Sequence, residues 1–97
     1  MATKNMRIHE VIELCGVDEK FVLLLEKEEV IHPVLQGKQK LYPLDQVDRV
    51  RVAHILLTEM QVNLAGVEVA LHMREQMIAM HRALEETIRQ LRKSGNR

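Results

Sequence analysis

The sequence predicts an all-α fold with a small β wing: a winged helix-turn-helix body followed by a long C-terminal helix that serves dimerisation. Three observations carry this expectation. Two short runs of helical apolar spacing meet at Gly16, a stretch holding both prolines follows, and the chain then runs from Leu64 to Arg92 without a proline. With 97 residues and 11.3 kDa, the chain is expected to form one domain over 1–97, with the body at 7–60 and the long helix at 64–93.

Residues Met1 to Met6 are unpatterned and read as a frayed lead-in. From Ile8 the apolar positions Ile8, Val11, Ile12 and Leu14 recur at helical spacing and stop at Gly16. Asp18 is placed to cap a second helix whose apolar members Phe21, Val22, Leu24 and Leu25 lead to Val30, Ile31 and a stop at Pro33. Between His32 and Pro43, the pairs Val34-Leu35 and Leu41-Tyr42 flank Gln36-Gly37-Lys38-Gln39, the pattern of a small hairpin. Asp45 is expected to cap a third helix from Gln46 to about Glu59. A break at Gln61-Val62-Asn63 precedes the last helix, and Gly66 is a candidate kink near its start.

That helix carries a second layer of pattern. Ala70, Met77, Leu84 and Leu91 lie seven apart, as do Met73, Met80 and Thr87 in the alternate seam position. A helix of this length reaches about 40 Å, beyond the diameter of so small a body. Its far half is therefore expected to pair with a second copy, making Met73, Met77, Met80, Leu84 and Leu91 the candidate dimer interface.

Composition excludes several functions. Fourteen basic and fourteen acidic residues give zero net charge, which withholds a general electrostatic grip on nucleic acid or anionic lipid. The balance conceals a gradient: residues 1–50 hold seven bases and nine acids, residues 51–97 seven bases and five acids. Phe21 and Tyr42 are the only aromatics, too few for a platform that stacks single-stranded bases. The single Cys15 forms no internal disulfide, and no signal peptide or membrane-spanning run is read, so a cytoplasmic location is expected. The five histidines, at 9, 32, 54, 72 and 81, never fall three or four apart, so neither metal nor cofactor is expected. No glycine-rich phosphate loop is present, Cys15 precedes a turn glycine on an apolar face, and the adjacent acids Glu28-Glu29 and Glu85-Glu86 diverge in a helix. No catalytic group is assigned, and an enzyme is not expected.

The run Ile8-His9-Glu10-Val11-Ile12-Glu13-Leu14-Cys15-Gly16-Val17 resembles the opening helix and turn of the MerR superfamily. The register continues through Glu26, Val30 and Pro33, and Lys40-Leu41-Tyr42 is similar to the end of that family's wing. Met60-Gln61-Val62-Asn63-Leu64-Ala65-Gly66-Val67 resembles a stretch of a short sub-branch that contains HspR-type heat-shock repressors and CbpM-type chaperone modulators. The resemblance covers roughly residues 8–80 and implies a homodimeric winged helix-turn-helix protein. Where the family's second helix holds DNA with basic and tyrosyl side chains, this chain keeps Lys20 but has Leu23 for the second arginine. Leu24 and Leu25 stand for the two tyrosines, and Glu29 for a helix-ending glycine. Residues 17–30 hold five acids and two lysines, a poor match for phosphate.

Two functions stay open on this reading. The first is a chaperone modulator that binds a J-domain co-chaperone and blocks its approach to the Hsp70 partner, with Glu26, Glu28 and Glu29 as candidate partner-binding residues. The alternative is a small DNA-binding repressor that reads double-stranded DNA as a dimer through Lys20, Lys38 and Lys40.

Overall fold

A computed structural model describes residues 5–95. In chain order it contains α1 (Ile8–Cys15), α2 (Glu19–Lys27), β1 (Val34–Gln36), β2 (Gln39–Leu41), α3 (Leu44–Thr58) and α4 (Leu64–Gly95). The winged helix-turn-helix followed by a long helix is thus the observed architecture, with overall dimensions of 57 × 35 × 20 Å.

Helix α1 opens with the Arg7 N–H donating to Glu10 Oε1 at 2.9 Å and closes at Gly16, whose φ of 66° is the left-handed conformation that ends helices cheaply only at glycine. Asp18 caps α2 as expected, its Oδ1 accepting from the Phe21 N–H at 2.8 Å. The helix stops at Lys27, earlier than the apolar spacing suggests. Glu29 adopts φ 60°, and the Val30 N–H returns to the Leu25 carbonyl at 2.8 Å. The reversal drives Val30 and Ile31 into the core in non-helical conformation, where their apolar surface is worth more than another helical turn.

The wing pairs Val34 with Leu41, Leu35 with Lys40 and Gln36 with Gln39, turning at Gly37 with φ 65°. Met6 belongs to this unit. Its N–H donates to the Tyr42 carbonyl at 2.8 Å and its carbonyl accepts from the Tyr42 N–H at 2.7 Å, so the lead-in is ordered by residue 6. The rest of that expected lead-in, 1–4, lies outside the described residues.

Asp45 does not cap α3. Pro43, with ψ 156°, is the boundary residue, and Asp45 falls in the first helical turn, where its charge still suits the helix dipole. Nor does Gly66 kink the last helix. Asn63 Oδ1 accepts from the Gly66 N–H at 2.8 Å, which makes Gly66 part of the first turn of an unbroken α4. A Cβ at position 66 would lie 2.7 Å from Val62 Cγ1, so glycine is needed here for close approach of the turn. Val11, Val22, Leu25, Val30, Ile31, Tyr42, Val47, Val50, Ala53, Val67 and Leu71 form one core shared by all four helices and the end of the wing.

Candidate functional site

Two surfaces are presented by this framework: the outward side of α2 with the wing beside it, and the far length of α4.

Burial of Val22 and Leu25 fixes how α2 is rotated. At helical spacing, Lys20, Leu23, Leu24 and Lys27 then share the opposite face, and all four are exposed. Leu23 and Leu24 are 42% and 43% accessible, and Val34 and Leu35 of the wing are a second exposed apolar pair. Leu25, by contrast, is in the core.

The three candidate partner-binding acids separate. Glu28 and Glu29 are exposed at the turn after α2. Glu26 points inward between α2 and the wing, its side chain only 15% accessible. Oε2 accepts from the Tyr42 hydroxyl at 2.5 Å, and Oε1 accepts from Lys40 Nζ at 2.8 Å. Burial, reinforced by this bond to Glu26, pushes the Tyr42 phenol well above its ordinary range, so it remains a donor. Glu26 therefore fastens the wing to α2.

The three candidate DNA-binding lysines separate likewise. Lys40 is engaged by Glu26, whereas Lys20 on α2 and Lys38 at the wing turn have no ion-pair partner among the described residues. Lys27 joins Lys20 on the same face and escapes a reading of the sequence alone. The i+7 spacing from Lys20, with Val22 and Leu25 as the inner pair, is the signal that would find it.

On α4, Met73, Met77, Met80, Leu84 and Leu91 are all solvent-exposed, with Met77 at 69% and Met80 at 72%. Ile88, 43% accessible, lies on the same stripe beside Thr87 and is an addition to the expected seam residues. From Met73 to Leu91 the stripe runs about 27 Å at 1.5 Å per residue. Val67 and Leu71 point elsewhere, into the body.

The chemistry of the remaining groups is structural. Cys15 donates through Sγ to the Val47 carbonyl at 3.7 Å, and burial pushes its thiol up, which leaves a poor nucleophile. His54 meets Phe21 edge-on at 5.4 Å. No group of three or more metal-ligating side chains is assembled among the described residues, and none of their helices is long and apolar enough to cross a membrane.

A short winged helix-turn-helix body with a projecting C-terminal helix is the architecture of a class of regulatory proteins. The model of the family described as MerR HTH family regulatory protein matches residues 6–93, and the chain belongs to that family. Comparison with curated proteins and with solved structures returns no match.

Proposed function

We propose that this regulator works by binding protein: as a homodimer, it docks on a J-domain co-chaperone of the Hsp70 system and blocks its productive encounter with that partner. The observation that carries this reading is the exposed Leu23-Leu24 pair on the outward face of α2. A helix that reads base edges needs hydrogen-bonding side chains there, and leucine supplies none. An apolar pair with Lys20 and Lys27 on its own face and the Glu28 and Glu29 carboxylates at the turn beyond suits instead a protein surface of mixed character, its basic part meeting the two acids. The resemblance to chaperone modulators points to the basic surface of a J-domain as that partner. Glu26 supports the site from behind by holding the wing. The chain acts as one unit over 1–97, its body at 7–60 holding the docking face and its helix at 64–93 bearing the dimer seam of Met73, Met77, Met80, Leu84 and Leu91.

Purified J-domain co-chaperone titrated against this protein tests the reading. Leu24→Asp is expected to weaken binding at least about tenfold, the loss that truncating a central interface contact produces. Glu29→Gly is the sharper variant, because it removes the carboxylate and also frees a left-handed position of its side chain. It is expected to raise stability by about 1 kcal/mol while weakening docking. Docking unchanged by both substitutions would remove α2 from the interface.

One observation favours the alternative, a DNA-binding regulator: with Glu26 turned inward, Lys20, Lys27 and Lys38 stand on the outward side with one acid fewer near them than a count along the sequence suggests. Lys20→Glu combined with Lys38→Glu would then abolish a retarded band on double-stranded DNA. On the protein-binding reading, that double variant keeps its hold on the co-chaperone.

A further inference from the structure

Helix α4 leaves the body through an ionic joint. Leu71 is its last buried residue, and every described residue after Arg74 is exposed. At that exit two ion pairs of opposite polarity join α3 to α4. Arg74 Nη1 donates to Asp48 Oδ2 at 2.7 Å, and one residue along on both helices Arg49 Nη1 donates to Glu75 Oε2 at 2.7 Å. Arg51 Nη2 holds the other Asp48 oxygen at 2.9 Å. Leu44, Ile78 and Ala79 line an open groove of about 410 Å3 together with Asp48, Arg74 and Glu75 of the joint itself.

The balance at this joint is slight. The Asp48, Arg74 and Glu75 side chains remain 35%, 38% and 44% accessible and Arg49 18%, so the Arg74–Asp48 pair holds weakly and is screened by salt, and the Arg49–Glu75 pair is open to solvent on its Glu75 side. Against them stands Arg49 Nε, buried without an acceptor, a cost that the same guanidinium's bond to Glu75 has to offset. Burial raises the Asp48 carboxyl, but the hydrogen bonds and charges of Arg51 and Arg74 outweigh it and hold the group below its ordinary value, in keeping with a carboxylate that depends on its two arginines.

We propose that Asp48, Arg49, Arg74 and Glu75 form an ionic latch with two settings, closed as in this structure and released, which sets the direction of α4 relative to the body. Val67 and Leu71 serve as the fulcrum, and the Asn63 cap keeps the start of the helix in place. The far length acts as a lever: a tilt of about 10° at Leu71 moves residue 83 by about 3 Å at 1.5 Å per residue. Release would therefore change the spacing of anything the two ends of the molecule hold, whichever partner the body takes.

Electron-electron distance measurement tests this on the full chain. Spin labels are placed at Glu13→Cys on α1 and Ala83→Cys on α4 in a Cys15→Ser background, diluted into an excess of unlabelled protein so that only distances within one chain are read. A narrow distribution is expected at low salt. Near 1 M salt, where screening acts within about 3 Å, it should shift by about 2 Å or broaden about twofold. Asp48→Asn or Glu75→Gln should produce the same change at low salt, and Arg49→Glu together with Glu75→Arg should restore the narrow distribution. A distribution that stays the same across the salt range overturns the latch using the unsubstituted joint alone, so the outcome does not depend on any latch variant folding well.

Discussion

Leu64–Ile78 and Ala79–Gly95 belong to one uninterrupted helix but meet opposite surroundings. The first part buries Val67 and Leu71 in the core, is capped by Asn63 and is tied to α3 by two ion pairs. The second part leaves Met80, Leu84 and Leu91 in the open. Isolated helices shorter than about 12–15 residues are marginal in water, and the far part is only slightly longer than that. Helical order in the far part is therefore inherited from the near part and, on the proposed reading, from a second copy. A continuous run of helix formers does not imply a uniform source of stability.

Substitutions that strike one part and spare the other would break or sharpen that contrast. The largest effect is expected in the near part: Leu71→Ala should cost about 2–5 kcal/mol of unfolding free energy and lower the melting temperature of the whole body. Along the exposed stripe, which runs from the end of the near part into the far part, Met77→Glu with Leu84→Glu should halve the mass seen by light scattering. The same pair should shift the stability of the body by less than about 1 kcal/mol, because the altered side chains are exposed. An unchanged mass would show that the stripe is not the seam. At the entrance to the helix, Gly66→Ala forces Val62 aside and should cost about 1–3 kcal/mol in chemical denaturation. The smallest effect lies at the boundary between the two parts. Since Asp48 ionises more readily in the folded protein than in the unfolded chain, its share of stability is present above the ordinary carboxylate range and is lost as pH falls through that range and below it. Acid titration of Asp48→Asn should accordingly show a shallower loss than the unsubstituted chain.

Much of this architecture is legible in the sequence, because its punctuation is local. Gly16, Asp18 and Gly37 act through their own backbone geometry or a neighbour three residues away, and Ile8, Val11 and Ile12 mark the inner side of α1, whereas the seven-residue stripe of α4 stays exposed and the buried residues of that helix are Val67 and Leu71. The features that mislead depend on distant partners or on a competing neighbour. Asp45 has the chemistry of a cap for α3, but the preceding Pro43 already sets the helix boundary. The end of α2 falls early because Val30 and Ile31 are recruited by a core whose other members lie as far away as Leu71. Glu26 is the clearest instance on the candidate site. In sequence it is one of five acids around α2, and only the return of the wing brings Tyr42 and Lys40 against it. Charge counted along the chain thus overstates the acidity of the outward face. Leu23 and Leu24 stand out in the sequence as replacements, yet their exposure is evident only once Val22 and Leu25 fix the rotation of the helix.

The two hydrogen bonds between Met6 and Tyr42 have a practical consequence. They carry the start of the described chain alongside the end of the wing, next to the Tyr42 side chain that Glu26 holds. An affinity tag or fluorescent fusion joined ahead of residue 6 would emerge beside the proposed docking face and compete with whatever binds there. One joined after α4 would emerge at the tip of the projecting helix, beyond Leu91, and burden the proposed seam instead. Detection of a partner by N-terminal fusions and of self-association by C-terminal fusions are thus the two arrangements most prone to a false negative, and reversing them places each label away from the surface under test.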